Sequence, residues 1–99
     1  MRLLPWTGEG GKDCYLISVG DAEADSVVSR LADSVEAIQL TMAQELLDHV
    51  RSALREGATS ETELLFYVTH LSSALRDALR VAESRGGRLQ VSGATSEAS

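Results

Sequence analysis

Two long stripes of aliphatic residues, spaced by three or four positions, dominate the pattern of hydrophobic and polar residues along this chain. This spacing keeps a side chain on one face of an α-helix, so each stripe predicts an amphipathic helix. A polar break over residues 55–61 separates the two helices and predicts a helical hairpin, with helices at about 22–55 and 61–85. The first stripe is Val28, Leu31, Val35, Ile38, Met42, Leu46, Val50 and Leu54, and the second is Leu64, Val68, Leu71, Leu75, Ala78 and Ala82.

Local signals define the expected ends of these helices. Acidic residues cluster over 21–25, where the helix dipole favours negative charge. Ser60 followed by Glu63 forms a capping box, so the second helix is predicted to start near residue 61. Gly86 and Gly87 predict its end, because glycine readily adopts the left-handed conformation that closes a helix. The small, polar tail at 90–99 is expected to be disordered.

The residues before the first helix favour a short β-hairpin or an extended arm. Segments 2–6 and 13–19 are rich in apolar residues and strand formers, and three closely spaced glycines at positions 8, 10 and 11 permit a turn between them. Pro5 allows only an edge position in a sheet. An isolated two-stranded hairpin is marginally stable, so this one is expected to lie on the helices or to pair with another chain.

These elements predict a mainly all-α fold with an N-terminal arm or β-hairpin at 1–21, a long antiparallel helical hairpin at 22–89 and a tail at 90–99. Two antiparallel helices touch along one line, which leaves part of each wide apolar stripe facing water. Exposed apolar patches of this extent mark interfaces, so we expect the hairpin to form a homodimeric four-helix bundle. The alternative is that residues 1–20 and the loop cover the stripes within one chain. The predicted interface residues are Trp6, Leu31, Val35, Ile38, Met42, Leu46, Leu64, Val68, Leu71 and Leu75.

Composition narrows the function classes. The chain has 99 residues and a net charge of −6, which argues against a general nucleic-acid binder. No apolar run approaches the ~20 residues of a membrane span, and the start of the chain lacks the features of a signal peptide. With a single cysteine and no intrachain disulfide, the expected location is cytoplasmic. The local group of basic residues is interpreted as cations near a helix C-terminus; these are Arg76, Arg80, Arg85 and Arg88.

Each candidate for chemistry has a simpler structural interpretation. Glu45 and His49 lie four residues apart and could hold a metal across a dimer axis, but an exposed side-chain pair is the favoured interpretation. Cys14 is interpreted as a packed thiol, since both histidines lie far from it in sequence. Asp33 and Glu36 are close carboxylates that we assign to a hydrated helix surface. The sequence therefore predicts no catalytic residue, no cofactor and no metal site.

The arrangement of Leu4-Pro5-Trp6-Thr7, Cys14-Tyr15-Leu16 and Ser29 to Asp33 with the arginine-rich stretch 75–86 resembles short acidic helical proteins of actinobacteria. No established activity is associated with those proteins, so the resemblance implies no reaction. The WXG100 secreted helical hairpins are a second comparison, but their Trp-x-Gly motif lies between the helices, whereas Trp6 precedes both.

We therefore expect a non-enzymatic protein–protein interaction module, a homodimeric adaptor or accessory regulatory protein with a protein partner that the sequence does not identify. Two alternatives remain, a WXG100-like secreted hairpin and a small metal- or ligand-binding helical bundle.

Overall fold

A computed structural model describes residues 1–17, 20–57 and 59–97, with side chains described up to residue 89. Strand β1 spans Arg2–Thr7 and strand β2 spans Asp13–Leu16, joined by a short 3-10 turn at Glu9–Gly11. Helix α1 spans Ala22–Glu56 and helix α2 spans Glu61–Glu97. The predicted architecture, two helices packed against each other after an N-terminal antiparallel β-hairpin, is confirmed.

Capping residues mark both ends of α1 and the start of α2. The Asp21 carboxylate accepts a hydrogen bond from the Ala24 amide at 3.1 Å and caps the start of α1. Gly57, which follows the last residue of α1, caps the helix with a left-handed φ of 74°. The Ser60 hydroxyl accepts from the Glu63 amide at 3.2 Å, which confirms the predicted cap of α2.

The predicted end of α2 at residue 85 is wrong, because the helix runs through Gly86 and Gly87 to Glu97. Neither glycine has a positive φ, so neither closes the helix. The Arg88 guanidinium donates to the Ser84 hydroxyl at 2.6 Å and lies 3.5 Å from the Glu36 carboxylate of α1. These contacts hold the chain on both sides of the glycines. The tail predicted to be disordered at 90–99 is helical up to Glu97, and its last two residues lie outside the described part of the chain.

The β-hairpin lies on the helices. Leu3, Leu4 and Pro5 of β1 are buried. The Ser84 hydroxyl of α2 donates to the Leu3 carbonyl at 2.9 Å, and the Gln39 side-chain amide of α1 donates to the Pro5 carbonyl at 2.8 Å. Both helices thus satisfy carbonyl groups of the proline-containing strand. Of the predicted second strand at 13–19, residues 18 and 19 lie outside the described residues.

The molecule is more extended than a compact domain of its length. Its radius of gyration is 17.5 Å and its longest dimension is 55 Å. A compact domain of about 100 residues has a radius of gyration near 13 Å. The buried core is correspondingly small, and its larger apolar members are Leu3, Leu4, Val50, Tyr67 and Val81. Much of the aliphatic surface therefore remains outside.

Replacing Gly87 by alanine tests the continuous α2 helix. No atom lies within 4 Å of a Cβ added at Gly87, and its φ is not positive. Alanine is favoured over glycine within a helix by about 1 kcal/mol. We expect Gly87→Ala to raise the free energy of unfolding by about 0.5–1 kcal/mol, measured by urea denaturation followed by circular dichroism. Destabilisation would show that the helix closes at the glycines.

Gly57→Ala is the matched control. A Cβ at Gly57 also meets open space, but the left-handed backbone disfavours alanine by roughly 1–2 kcal/mol. The same substitution should therefore destabilise the protein at Gly57 and stabilise it at Gly87.

Candidate interaction surface

Helix α1 presents an aliphatic row to solvent. Leu31, Ile38 and Met42 are 55%, 57% and 62% exposed, and Val35 between them is half-buried. Ala32 and Glu36, on a neighbouring flank of the same turns, are buried. We call the four residues Leu31, Val35, Ile38 and Met42 the α1 stripe. The side of α1 that packs within the chain is thus the side of Ala32 and Glu36.

Helix α2 carries a second exposed aliphatic row, which we call the α2 stripe. Its members recur at helical spacing, and each is between 42% and 61% exposed. Leu71, which lies among them, is half-buried. The α2 stripe is Leu64, Val68, Leu75 and Leu79.

A largely apolar groove of about 280 Å³ separates the two helices beside Met42. Met42 and Leu46 line it from α1, and Phe66 and His70 line it from α2. The Phe66 and His70 rings are tilted against each other, with centroids 4.1 Å apart. Phe66 is 57% exposed, so the groove is open along an apolar rim. It has the size and lining to accept an aliphatic side chain.

Some of the predicted interface residues are exposed in the structure, and others are half-buried. The residues of the α1 and α2 stripes that were predicted from sequence are exposed, except Val35. Trp6, Val35, Leu46 and Leu71 are half-buried. Trp6 belongs to β1, the strand that packs on the helices, so its ring is only partly available to a partner.

Glu36 contradicts its assignment to a hydrated surface, because it is 1% exposed. Three guanidinium groups surround its Oε1 atom, from Arg2 of β1 at 3.5 Å, Arg88 of α2 at 3.5 Å and Arg85 of α2 at 3.8 Å. Among the described residues, neither Glu36 oxygen accepts a hydrogen bond. The contacts are therefore charge–charge contacts, and they join the strand and both helices at one point.

Arg2 extends this cluster to the surface of α1. Its guanidinium donates to the Ser29 carbonyl at 3.1 Å and to the Asp33 carboxylate at 2.6 Å. The Arg2 side chain is 11% exposed, whereas that of Asp33 is 63% exposed. The Arg2 guanidinium thus contacts two carboxylates, that of Asp33 in solvent and that of Glu36 in the interior.

The basic residues of α2 do not sit at a helix end, so their predicted role at the helix dipole is wrong. The last turn of α2 contains no basic residue. Arg80 instead lies 3.4 Å from Asp13 of β2 and 3.6 Å from Asp77, and Arg85 and Arg88 lie around Glu36. These arginines attach α2 to the β-hairpin and to α1.

Cys14 and His49 lie in different parts of the molecule. Cys14 is half-buried in β2, next to the Gly8 turn. The His49 ring lies 3.2 Å from the Tyr67 hydroxyl, near the interhelical loop. Within residues 1–17, 20–57 and 59–97, no three His, Cys, Asp or Glu side chains lie close enough together to bind a metal ion.

Comparisons with protein-family models, curated proteins and solved structures found no match. In the part of the chain that the structure describes, no helix has the length and hydrophobicity to cross a membrane. The features that bear on function are therefore the α1 and α2 stripes and the charge cluster around Glu36.

Removing the Glu36 charge should destabilise the fold. Glu36→Gln leaves three guanidinium groups without their common counter-charge, and breaking a buried ion pair costs about 3–5 kcal/mol. Arg85 and Arg88 reach solvent, so we expect a loss of about 2–3 kcal/mol in the free energy of unfolding, measured by urea denaturation.

Asp33→Asn is the matched control, because it removes the exposed carboxylate of the same arginine. Exposed ion pairs contribute about 0–1 kcal/mol, so this variant should lose less than 1 kcal/mol. Equal losses for the two variants would contradict the central role of Glu36.

Proposed function

We propose that this chain is a non-enzymatic protein–protein interaction module that works as a homodimeric adaptor or accessory regulatory protein. The observation that carries the proposal is the distribution of its hydrophobic side chains. Among the described residues, sixteen large hydrophobic side chains are exposed, whereas six hydrophobic residues are buried. Contiguous exposed aliphatic rows are typical of surfaces that bind other proteins.

The total accessible surface area of the chain also supports association. The chain exposes 7322 Å². A compact monomer of 10.6 kDa exposes about 5,500 Å². The excess exceeds the ~800 Å² that each partner buries in a standard interface. The excess surface is therefore large enough for an interface of standard size.

The two stripes suit these two roles. The α1 stripe lies on one helix, on a different flank from the β-hairpin contacts, so a second copy can approach it. The α2 stripe continues to Leu79, beside the arginines that attach the hairpin. We assign self-association to the α1 stripe and binding of a further protein to the α2 stripe.

Purified protein should be a dimer at micromolar concentration. Its thermal midpoint should rise with concentration, because mass action stabilises the associated state. Ile38→Lys places a charge in the interface and should raise the dissociation constant at least tenfold, measured by light scattering across a dilution series. A wild-type monomer with full helicity at these concentrations would refute the proposal.

Leu54→Lys is the matched control for Ile38→Lys. Leu54 is 62% exposed, lies on the same helix and is outside the α1 stripe. It should leave the dissociation constant unchanged within about twofold. An equal effect of both variants would indicate non-specific association.

The α2 stripe is tested with Leu75→Lys, which should leave the dimer intact. Proteins captured from native cells by the wild-type dimer should be lost with Leu75→Lys and retained with Leu54→Lys. Quantitative mass spectrometry of the captured proteins measures this difference. An unchanged set of proteins would contradict the assignment of the α2 stripe.

A further inference from the structure

We propose that two copies of the chain pack α1 against α1 in antiparallel orientation, about a two-fold axis between Val35 and Ile38, with Arg30 of each copy paired with Glu45 of the other. This inference rests on the proposed self-association and specifies its geometry. Self-association could hold without this arrangement, so the two can be tested separately.

The α1 stripe has the residue spacing of a face that packs against another helix. The α1 stripe residues follow one another by four, three and four positions, the spacing of a helix-packing seam. Beside the stripe lie three small, exposed residues, Ser34, Ala37 and Thr41. Small residues beside an aliphatic row allow two helices to approach closely, within about 8–10 Å of each other. The face is therefore shaped to receive a helix.

The fold leaves this face open. The β-hairpin and its charge cluster contact α1 through Ser29, Asp33 and Glu36, and Gln39 holds β1 from the same side. Successive residues of a helix are separated by about 100°, which places the α1 stripe on the flank away from these contacts. A helix of a second copy can thus lie along the stripe without displacing the hairpin.

The register follows from the position of the axis. A two-fold axis midway between Val35 and Ile38 sets Leu31 opposite the partner's Met42, and Val35 opposite the partner's Ile38. Every member of the α1 stripe then has an aliphatic counterpart. Met42 borders the groove of about 280 Å³ between the helices, so the partner's Leu31 lies where it can fill that groove.

Charge then favours this orientation. Arg30 and Glu45 lie near opposite ends of the stripe, on the flank that carries Ser34 and Thr41. Both are exposed, and within the described residues neither makes an ion pair in its own chain. Antiparallel two-fold packing places the same flank of both helices on one side, in reversed order. It brings Arg30 within about one turn of the partner's Glu45, twice in each dimer.

Charge reversal tests the pairing. Arg30→Glu creates two Glu–Glu contacts, and Glu45→Arg creates two Arg–Arg contacts. Each single variant should weaken the dimer about tenfold at low ionic strength, where surface charges are least screened. The double variant Arg30→Glu/Glu45→Arg has the wild-type net charge and should recover the wild-type dissociation constant, measured by analytical ultracentrifugation.

Mixing the two single variants gives a sharper test. In a mixed dimer both contacts again join opposite charges, so the Arg30→Glu chain should bind the Glu45→Arg chain more tightly than either binds itself. Arg51→Glu, an exposed reversal on α1 outside the stripe, is the control and should change the dissociation constant less than twofold. Circular dichroism, recorded at a concentration at which every variant is dimeric, should show equal helicity for all variants.

The outcomes separate the two proposals. Recovery in the double variant and preferential mixed dimers support the antiparallel α1 interface. A wild-type dimer that is indifferent to these reversals would overturn the interface and leave self-association standing. A wild-type chain that remains a monomer would overturn both.

Discussion

The fold depends on a charge interaction around Glu36. This carboxylate is 1% exposed, and guanidinium groups from β1 and α2 lie within 4 Å of it. Burying a lone carboxylate costs several kcal/mol, so Glu36 can occupy the interior only if the arginines converge on it. This requirement links three features of the fold. The first strand brings Arg2 to Glu36, and α2, which continues beyond Gly86 and Gly87, brings Arg85 and Arg88 to it.

This polar centre explains why so much aliphatic surface remains outside. Where the two helices meet the hairpin, the buried residues include Glu36 of α1 and Ser84 of α2, which are polar rather than bulky and aliphatic. Charge contacts demand a defined geometry but bury little apolar area. The larger side chains of the α1 and α2 stripes therefore lie on other flanks of the helices. A chain held together mainly by charge contacts keeps its hydrophobic surface available for other molecules.

Sequence predicted the features that depend on local chemistry. The aliphatic spacing predicted two helices, Ser60 predicted the start of α2, and the glycines near residue 10 predicted the turn of the hairpin; all are confirmed. The features it missed depend on contacts distant in sequence. Glu36 was assigned to a hydrated surface because the arginines that surround it lie 34 positions before it and about 50 positions after it in the sequence. The same contacts carry the helix past Gly87, where local propensity alone favours an end. The stripe residues could be predicted because their spacing is a local property of the sequence. Which of them face solvent could not, because that depends on the cluster around Glu36.

The small core also links folding to association. A chain of about 100 residues has few buried side chains from which to draw stability, and a charge cluster contributes geometry more than free energy. Burial of the α1 stripe would then supply part of the stability of each subunit, so the dimer interface would act as an extension of the core. In that case the population of the folded chain depends on its concentration. If the proposed adaptor works in this way, it would present the α2 stripe to a partner only when enough chains are present to stabilise one another.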